Sequence, residues 1–296
     1  MESDSPTGQL HIGEFPAALH DEIAERLALH SVGFTSVLRR PGGTESKQSG
    51  SGTFVRVAGR HAFLTADHVA EQLQAGDMVS ILVDWRGEVR RCLYERDHLV
   101  FARLARGADD GNGPDLALVF IPVGGEASAT LRTNKSAYDL DRRIAGLPEN
   151  YPGVEWGFWF SCGVPAEGAV DLGSVRAFEQ VRGVQGLCAL ATRPREFELD
   201  GFDYFDLSVP ATAPEVPTVL GGMSGSGLWQ VRIRQATDGT IYVQDYILSG
   251  VAFYEWYAPE RRLRYHARRS LHERLPALLN GQLGWTAPPA SQDVAV

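Results

Sequence analysis

Cysteine, long apolar runs and excess positive charge are all scarce in this 296-residue chain, and each scarcity excludes a class of protein. The three cysteines, Cys92, Cys162 and Cys188, are an odd and scattered set. They supply neither a disulfide framework nor zinc-ligand spacing, and all three are expected to be reduced thiols. No apolar stretch approaches the roughly 20 residues that cross a bilayer as a helix. The opening MESDSPTGQL has no basic segment followed by an apolar one, so no secretory signal is read and the expectation is a soluble, cytoplasmic protein. Acidic residues outnumber basic ones, 37 to 28, for a net charge of −9. That balance argues against nucleic-acid binding, which works by neutralising phosphates.

What is present is core-forming sequence in short pieces. Hydrophobic residues make up 44% of the chain and charged residues 22%, enough apolar side chain for a sizeable interior. From Pro16 to His30 the apolar residues Leu19, Ile23 and Leu27 recur at helical spacing, predicting a short amphipathic helix outside the main fold, as a lid or packing element. Strand-like runs follow: Val32 to Leu38, Thr53 to Val57, His61 to Thr65, Val79 to Val83, Glu88 to Leu93, Asp115 to Ile121, Gly157 to Cys162, Tyr204 to Val209, Gly227 to Ile233, Ile241 to Leu248 and Gly250 to Tyr254. Pro41 to Gly52 reads as turn. Many short β-branched or aromatic runs with little helix between them predict a mainly β protein, sandwich or barrel. After Pro259 the leucines suggest a C-terminal helix whose arginines (261, 262, 264, 268, 269) form a solvated face, and residues after Trp285 look disordered.

Three local contexts carry chemistry. In Gly221-Gly222-Met223-Ser224-Gly225-Ser226-Gly227 a serine stands among small residues that let the backbone turn tightly, so that the amides of Gly222 and Ser224 can aim at one point. Alone, this reads equally well as a Gly/Ser hairpin. His68 stands where the apolar run ending at Thr65 gives way to a helical turn. Asp115 opens an apolar strand, where a buried carboxylate needs a partner.

Together, LTADHV around His68, PDLALV around Asp115 and GGMSGSGL around Ser224 resemble, in chain order, the three signature blocks of trypsin-like serine peptidases. SGTFVRV, FSCGVPAEG and LSGVAFYE resemble further strands of that family, so the resemblance covers Val32 to Tyr257. It implies two antiparallel β-barrels of the chymotrypsin-like fold, over residues 32–127 (His and Asp) and 128–258 (Ser). They are preceded by a helix-bearing extension, 1–31, and followed by a helix, 259–285, and a tail, 286–296. It implies Ser224 as nucleophile, His68 as base and Asp115 as orienting acid, with an oxyanion hole at Gly222 and Ser224, no cofactor and no metal. It also implies a substrate pocket at Thr218, Phe253, Tyr254 and Glu255. The substrate would be a protein or peptide, with neither nucleic acid nor membrane as partner. Met223 departs from the aspartate that animal digestive relatives carry before the nucleophile, which points to the bacterial intracellular type, folding without N-terminal insertion. Restraint of such an enzyme is expected from the first helix, from the stretch between Leu131 and Glu155, or from a regulatory partner. Two other readings remain: a non-catalytic peptide-binding or assembly module, and an α/β-hydrolase-type esterase using Ser224 with Asp245 and His266 downstream.

Overall fold

The computed structural model describes residues 16–85, 88–107, 111–147, 151–166, 169–176, 179–184, 186–209, 217, 219–257 and 260–283. In chain order, helix α1 (Ala17–Ala28) leads into β1 (Ser31–Arg40), β2 (Gly43–Val57) and β3 (Arg60–Thr65), then α2 (Asp67–Gln74). Next come β4 (Met78–Trp85), β5 (Glu88–Glu95), β6 (Val100–Arg106), β7 (Asp115–Phe120), α3 (Glu126–Asn134), the two-residue β8 (Tyr138–Asp139) and α4 (Leu140–Ile144). The second half holds β9 (Phe158–Gly163), β10 (Ala169–Arg176), β11 (Glu179–Val184), β12 (Leu187–Ala191), β13 (Arg195–Leu199), β14 (Phe202–Ser208), β15 (Gly227–Gln235), β16 (Ile241–Trp256), β17 (Arg262–His266) and α5 (Leu275–Leu283).

The strands assemble in two sheets, one ordered β5-β4-β1-β2-β3-β7-β6 and the other β12-β9-β15-β16-β17-β14-β13, with β10 and β11 as a separate hairpin. Apart from the short parallel contact of β8 with β2, the described strand pairs of the first sheet are antiparallel, as are those of the second. This is a mainly β architecture of two antiparallel sheets with a helix at each end. It is incompatible with the parallel sheet that an α/β-hydrolase needs, and Asp245 is engaged elsewhere, in a bidentate pair with Arg143.

The interior holds three apolar clusters: one of the second sheet, one mostly of the first sheet that also takes in Phe202, Tyr204 and Phe253, and a third that joins the two halves more broadly. Val55, Leu64, Leu116 and Leu118 from the first sheet meet Phe160, Trp229, Leu248 and Val251 from the second. The α1 residues Leu19, Ile23 and Leu27 and the C-terminal Leu271, Leu275 and Leu279 complete that cluster. Helix α1 is therefore a packing element. Each of its three buried side chains is worth about 1.5–3 kcal/mol of burial, and its Glu22–Arg26 pair, 2.7 Å apart, braces the outer face. No described helix is long and apolar enough to cross a membrane.

Four sequence expectations are corrected. The segment Pro41 to Gly52 is mostly strand: β2 begins at Gly43, opposite Arg40, and runs on through the small residues. Those residues are small because space is short, a Cβ on Gly52 lying 2.5 Å from the Phe34 ring. Ile241 to Tyr254 is one strand, not two. Only Arg268 and Arg269 of the arginine run lie on a helix; Arg262–His266 is β17, paired with β14 and β16. Nor is the run all solvated. Arg264 is 8% exposed, held by Asp206 through two bonds of 2.7 and 2.9 Å and stacked 4.1 Å above Trp256. The C-terminal helix begins at Arg268 and passes through a π-helical turn at Ser270–Arg274, its entry capped by buried Asp203. Pro276, the second residue of α5, has no N–H for the His272 carbonyl. Finally, Cys162 and Cys188 are bonded as a disulfide, because β9 and β12 align them directly opposite each other. Sequence spacing does not reveal such a register. Cys92 is a free, buried thiol, pushed up to about 11 by its burial.

Candidate active site

His68 and Asp115 are set by the elements that carry them. β3 ends at Thr65 and α2 starts at Asp67, so His68 is in the first turn of a helix whose Val69, Ala70 and Leu73 are buried. The neighbouring Asp67 is 1% exposed and takes a bidentate Arg103 from β6, Oδ1 to Nε at 2.7 Å and Oδ2 to Nη2 at 2.6 Å. Asp115 opens β7, which pairs with β3 on one side and β6 on the other. Its carboxylate meets His68 at two points. Oδ1 accepts the His68 backbone N–H at 3.0 Å, and Oδ2 lies 2.5 Å from Nδ1. With a carboxylate as acceptor Nδ1 is the donor, and in the neutral imidazole Nε2 is then the nitrogen with a lone pair. The pair is partly open to solvent, with side chains 35% and 21% exposed.

Ser224 arrives from the second sheet on the turn before β15. That turn is locked to both sheets. Gly225 N–H donates to the Ala252 carbonyl at 2.7 Å, and Ala252 N–H to Ser226 at 2.9 Å. From the first sheet, Ser51 donates its N–H to the Ser224 carbonyl at 2.7 Å and its hydroxyl to the Gly222 carbonyl at 2.7 Å. Ser51 in turn accepts from Thr65 Oγ1 at 2.7 Å, three residues before His68. The turn that carries Ser224 is thus hydrogen-bonded to the strands that deliver His68. Glycine is needed where it lies closest: at Gly225, with φ +89°, a Cβ would collide with the Ser51 carbonyl. Among the described residues no hydrogen bond joins the Ser224 hydroxyl to the His68 imidazole.

Among the described residues, neither Gly222 N–H nor Ser224 N–H donates to the protein. Their directions are nevertheless fixed. A trans peptide points N–H opposite to the preceding carbonyl. The Gly221 carbonyl is held by Ala166 N–H at 2.6 Å, and the Met223 carbonyl by Ser226 N–H at 2.8 Å. The Met223 side chain is 1% exposed and packs with Leu220, Leu228, Leu263 and Tyr265, anchoring the turn by apolar contact.

The expected pocket residues lie beside this turn, on the stretch of β16 that continues from Ala252. Phe253 turns its ring into the interior, 4.7 Å from the His266 ring. Tyr254 is half-buried against Trp256. Glu255 presents no free charge: Arg261 Nε bonds it at 2.9 Å and Tyr257 donates its hydroxyl at 2.8 Å, while Arg261 also reaches the Pro217 carbonyl. Thr218 lies outside the described residues. A groove of about 800 Å³ between β5 and the start of α3 includes none of these residues. Among the described residues no three His, Cys, Asp or Glu side chains are gathered as metal ligands would be.

Sequence reading missed Ser51 and the Arg103–Asp67 pair, and it placed His266 only in the esterase alternative, whereas its Nε2 accepts the Asp115 backbone N–H at 2.8 Å. Ser51 sits in the SGTFVRV block, but only its burial shows that it bridges the sheets. Neither Arg103 nor His266 stands in a motif that marks it.

No protein-family model matches the chain, and no curated protein is a significant match. Among solved structures it is similar to the inactive form of Rv3671c from M. tuberculosis H37Rv, at 12% identity over 93% of this chain and 96% of that one, with TM-score 0.44. It is similar to the serine endoprotease from Yersinia pestis at 14% identity over 91% and 69%, with TM-score 0.44. It is also similar to catalytically inactive tobacco etch virus protease complexed with substrate, at 12% identity over 90% of each chain, with TM-score 0.38.

Proposed function

We propose that this chain is a serine endopeptidase. The observation that carries the reading is convergence: an imidazole oriented by a carboxylate, and a serine whose turn offers two unengaged, fixed amides, share one seam between the sheets. In this reading Ser224 Oγ attacks the scissile carbonyl while His68 Nε2 takes its proton. Asp115 holds the imidazolium that forms, and the Gly222 and Ser224 amides receive the developing oxyanion. His68 then gives the proton to the leaving amine, and water repeats the sequence on the acyl-enzyme. Nothing in these steps calls for a metal or organic cofactor.

The substrate is a protein or peptide lying along Phe253–Glu255. With Glu255 already neutralised by Arg261, this wall has no spare carboxylate for a basic side chain. The test is hydrolysis of a peptide library by wild type, Ser224→Ala and His68→Ala. Cleavage by wild type alone supports the reading; equal cleavage by Ser224→Ala, or none by wild type, contradicts it and favours a binding module.

A further inference from the structure

His266 lies behind the aspartate, and the chemistry just described makes no use of it. It closes β17, where pairing with Tyr204 on β14 and Val251 on β16 fixes its backbone. Its side chain is 0% exposed. The ring is packed among Phe253, Tyr204 and Phe202, at centroid distances of 4.7, 5.2 and 5.7 Å. Nε2 accepts the backbone N–H of Asp115 at 2.8 Å. A nitrogen that accepts carries no proton, so the ring is the Nδ1–H tautomer. Burial holds it neutral, lowering its pKa to about 4 against the opposing pull of the nearby Asp115 and Asp203 carboxylates.

This contact crosses between the halves of the molecule, from the second sheet to the first residue of a first-sheet strand. It is not alone. Arg264, two residues earlier on β17, donates from Nη1 to the Gly111 carbonyl at 2.9 Å and to Asn112 Oδ1 at 3.2 Å. One face of β17 therefore holds both ends of the Gly111–Asp115 turn. The Asp115 carboxylate is attached to the backbone that His266 fixes, and both its oxygens are committed to His68. A shift of that backbone moves the carboxylate relative to the imidazole.

We propose that His266 is a positioning residue: by accepting the Asp115 N–H it holds the aspartate in register for its two-point contact with His68. The inference rests on the serine-peptidase reading for its kinetic consequence but not for its structural one.

The experiment has two arms. In wild-type protein labelled with 15N at histidine, His266 is expected to show Nδ1–H and an unprotonated Nε2 throughout roughly pH 5 to 9, its signals assigned by their loss in His266→Gln. An Nε2–H tautomer overturns the proposal. In the second arm, His266→Gln keeps an acceptor near the Nε2 position and His266→Leu removes it. His266→Leu is expected to lower kcat by about tenfold to a hundredfold with KM nearly unchanged, and to shift the His68 Nδ1 proton upfield. His266→Gln is expected to recover most of both. Equal rates in the two variants overturn the proposal. If His266→Leu does not fold, the wild-type tautomer and His266→Gln still decide: Nδ1–H with near-wild-type kcat supports it, and Nε2–H or a tenfold loss overturns it. If wild type cleaves no peptide, the peptidase reading fails by itself, while the tautomer and the His68 proton shift still judge the positioning.

Discussion

The amide of Ala166 donates to the carbonyl of Gly221 at 2.6 Å, and that bond sets the direction of the next amide, Gly222 N–H. Ala166→Pro removes the donor and lets the Gly221–Gly222 peptide rotate. Loss of one oxyanion donor costs roughly 10²–10³ in kcat, and a misdirected donor should fall near the lower figure. Steady-state kinetics on a peptide ester should show kcat falling by about 10² with KM little changed. An unchanged kcat would mean that Gly222 N–H does not face the reacting carbonyl.

Gly225→Ala tests the docking of the serine turn. The glycine has φ +89°, and an added methyl would collide with the Ser51 carbonyl and Thr65 Oγ1. Backbone strain and the clash together should cost at least about 3 kcal/mol. Urea unfolding measures it; a loss under about 1 kcal/mol would show that the turn can lift from the first sheet without penalty.

Arg103→Met leaves Asp67 without its bidentate partner one residue before His68. Asp67 is 1% exposed, whereas Arg103 is 31% exposed. Stranding a buried carboxylate costs about 3–5 kcal/mol, so chemical denaturation should show a loss of that order. A variant as stable as wild type would mean that water or another cation replaces the guanidinium.

The local contexts of the candidate residues were legible in the sequence: His68 follows a strand-to-helix junction and Asp115 opens an apolar strand, as their flanking residues suggested. What was hidden depends on register. Gly50, Ser51 and Gly52 look like turn residues, yet they form a strand, their small size serving close contact with Phe34 and the serine turn. Arg264 looked like part of a charged helix face and His266 like a distant partner in the esterase alternative, but alternation along β17 sends both inward while Leu263 and Tyr265 enter the opposite cluster. Cys162 and Cys188 meet only because β12 aligns with β9 as it does.

Acid should unfold this protein through its buried histidines. His30, His266 and His272 are at most 3% exposed, and burial lowers each pKa from 6.5 to about 4. Between those values the unfolded chain binds protons that the folded one refuses. Stability is therefore complete above about pH 6.5 and lost as pH falls toward 4, by up to about 3 kcal/mol per histidine. Melting temperature across this window should drop steeply, and His272→Gln should flatten the slope. A flat profile would contradict neutral burial.

The most direct measurement of the central claim is intact-mass and peptide-mapping analysis after exposure to a fluorophosphonate. The account predicts one adduct, on Ser224, formed rapidly by wild type and at least about 10³-fold more slowly by His68→Ala. No adduct, an adduct on another residue, or equal labelling of His68→Ala would contradict it.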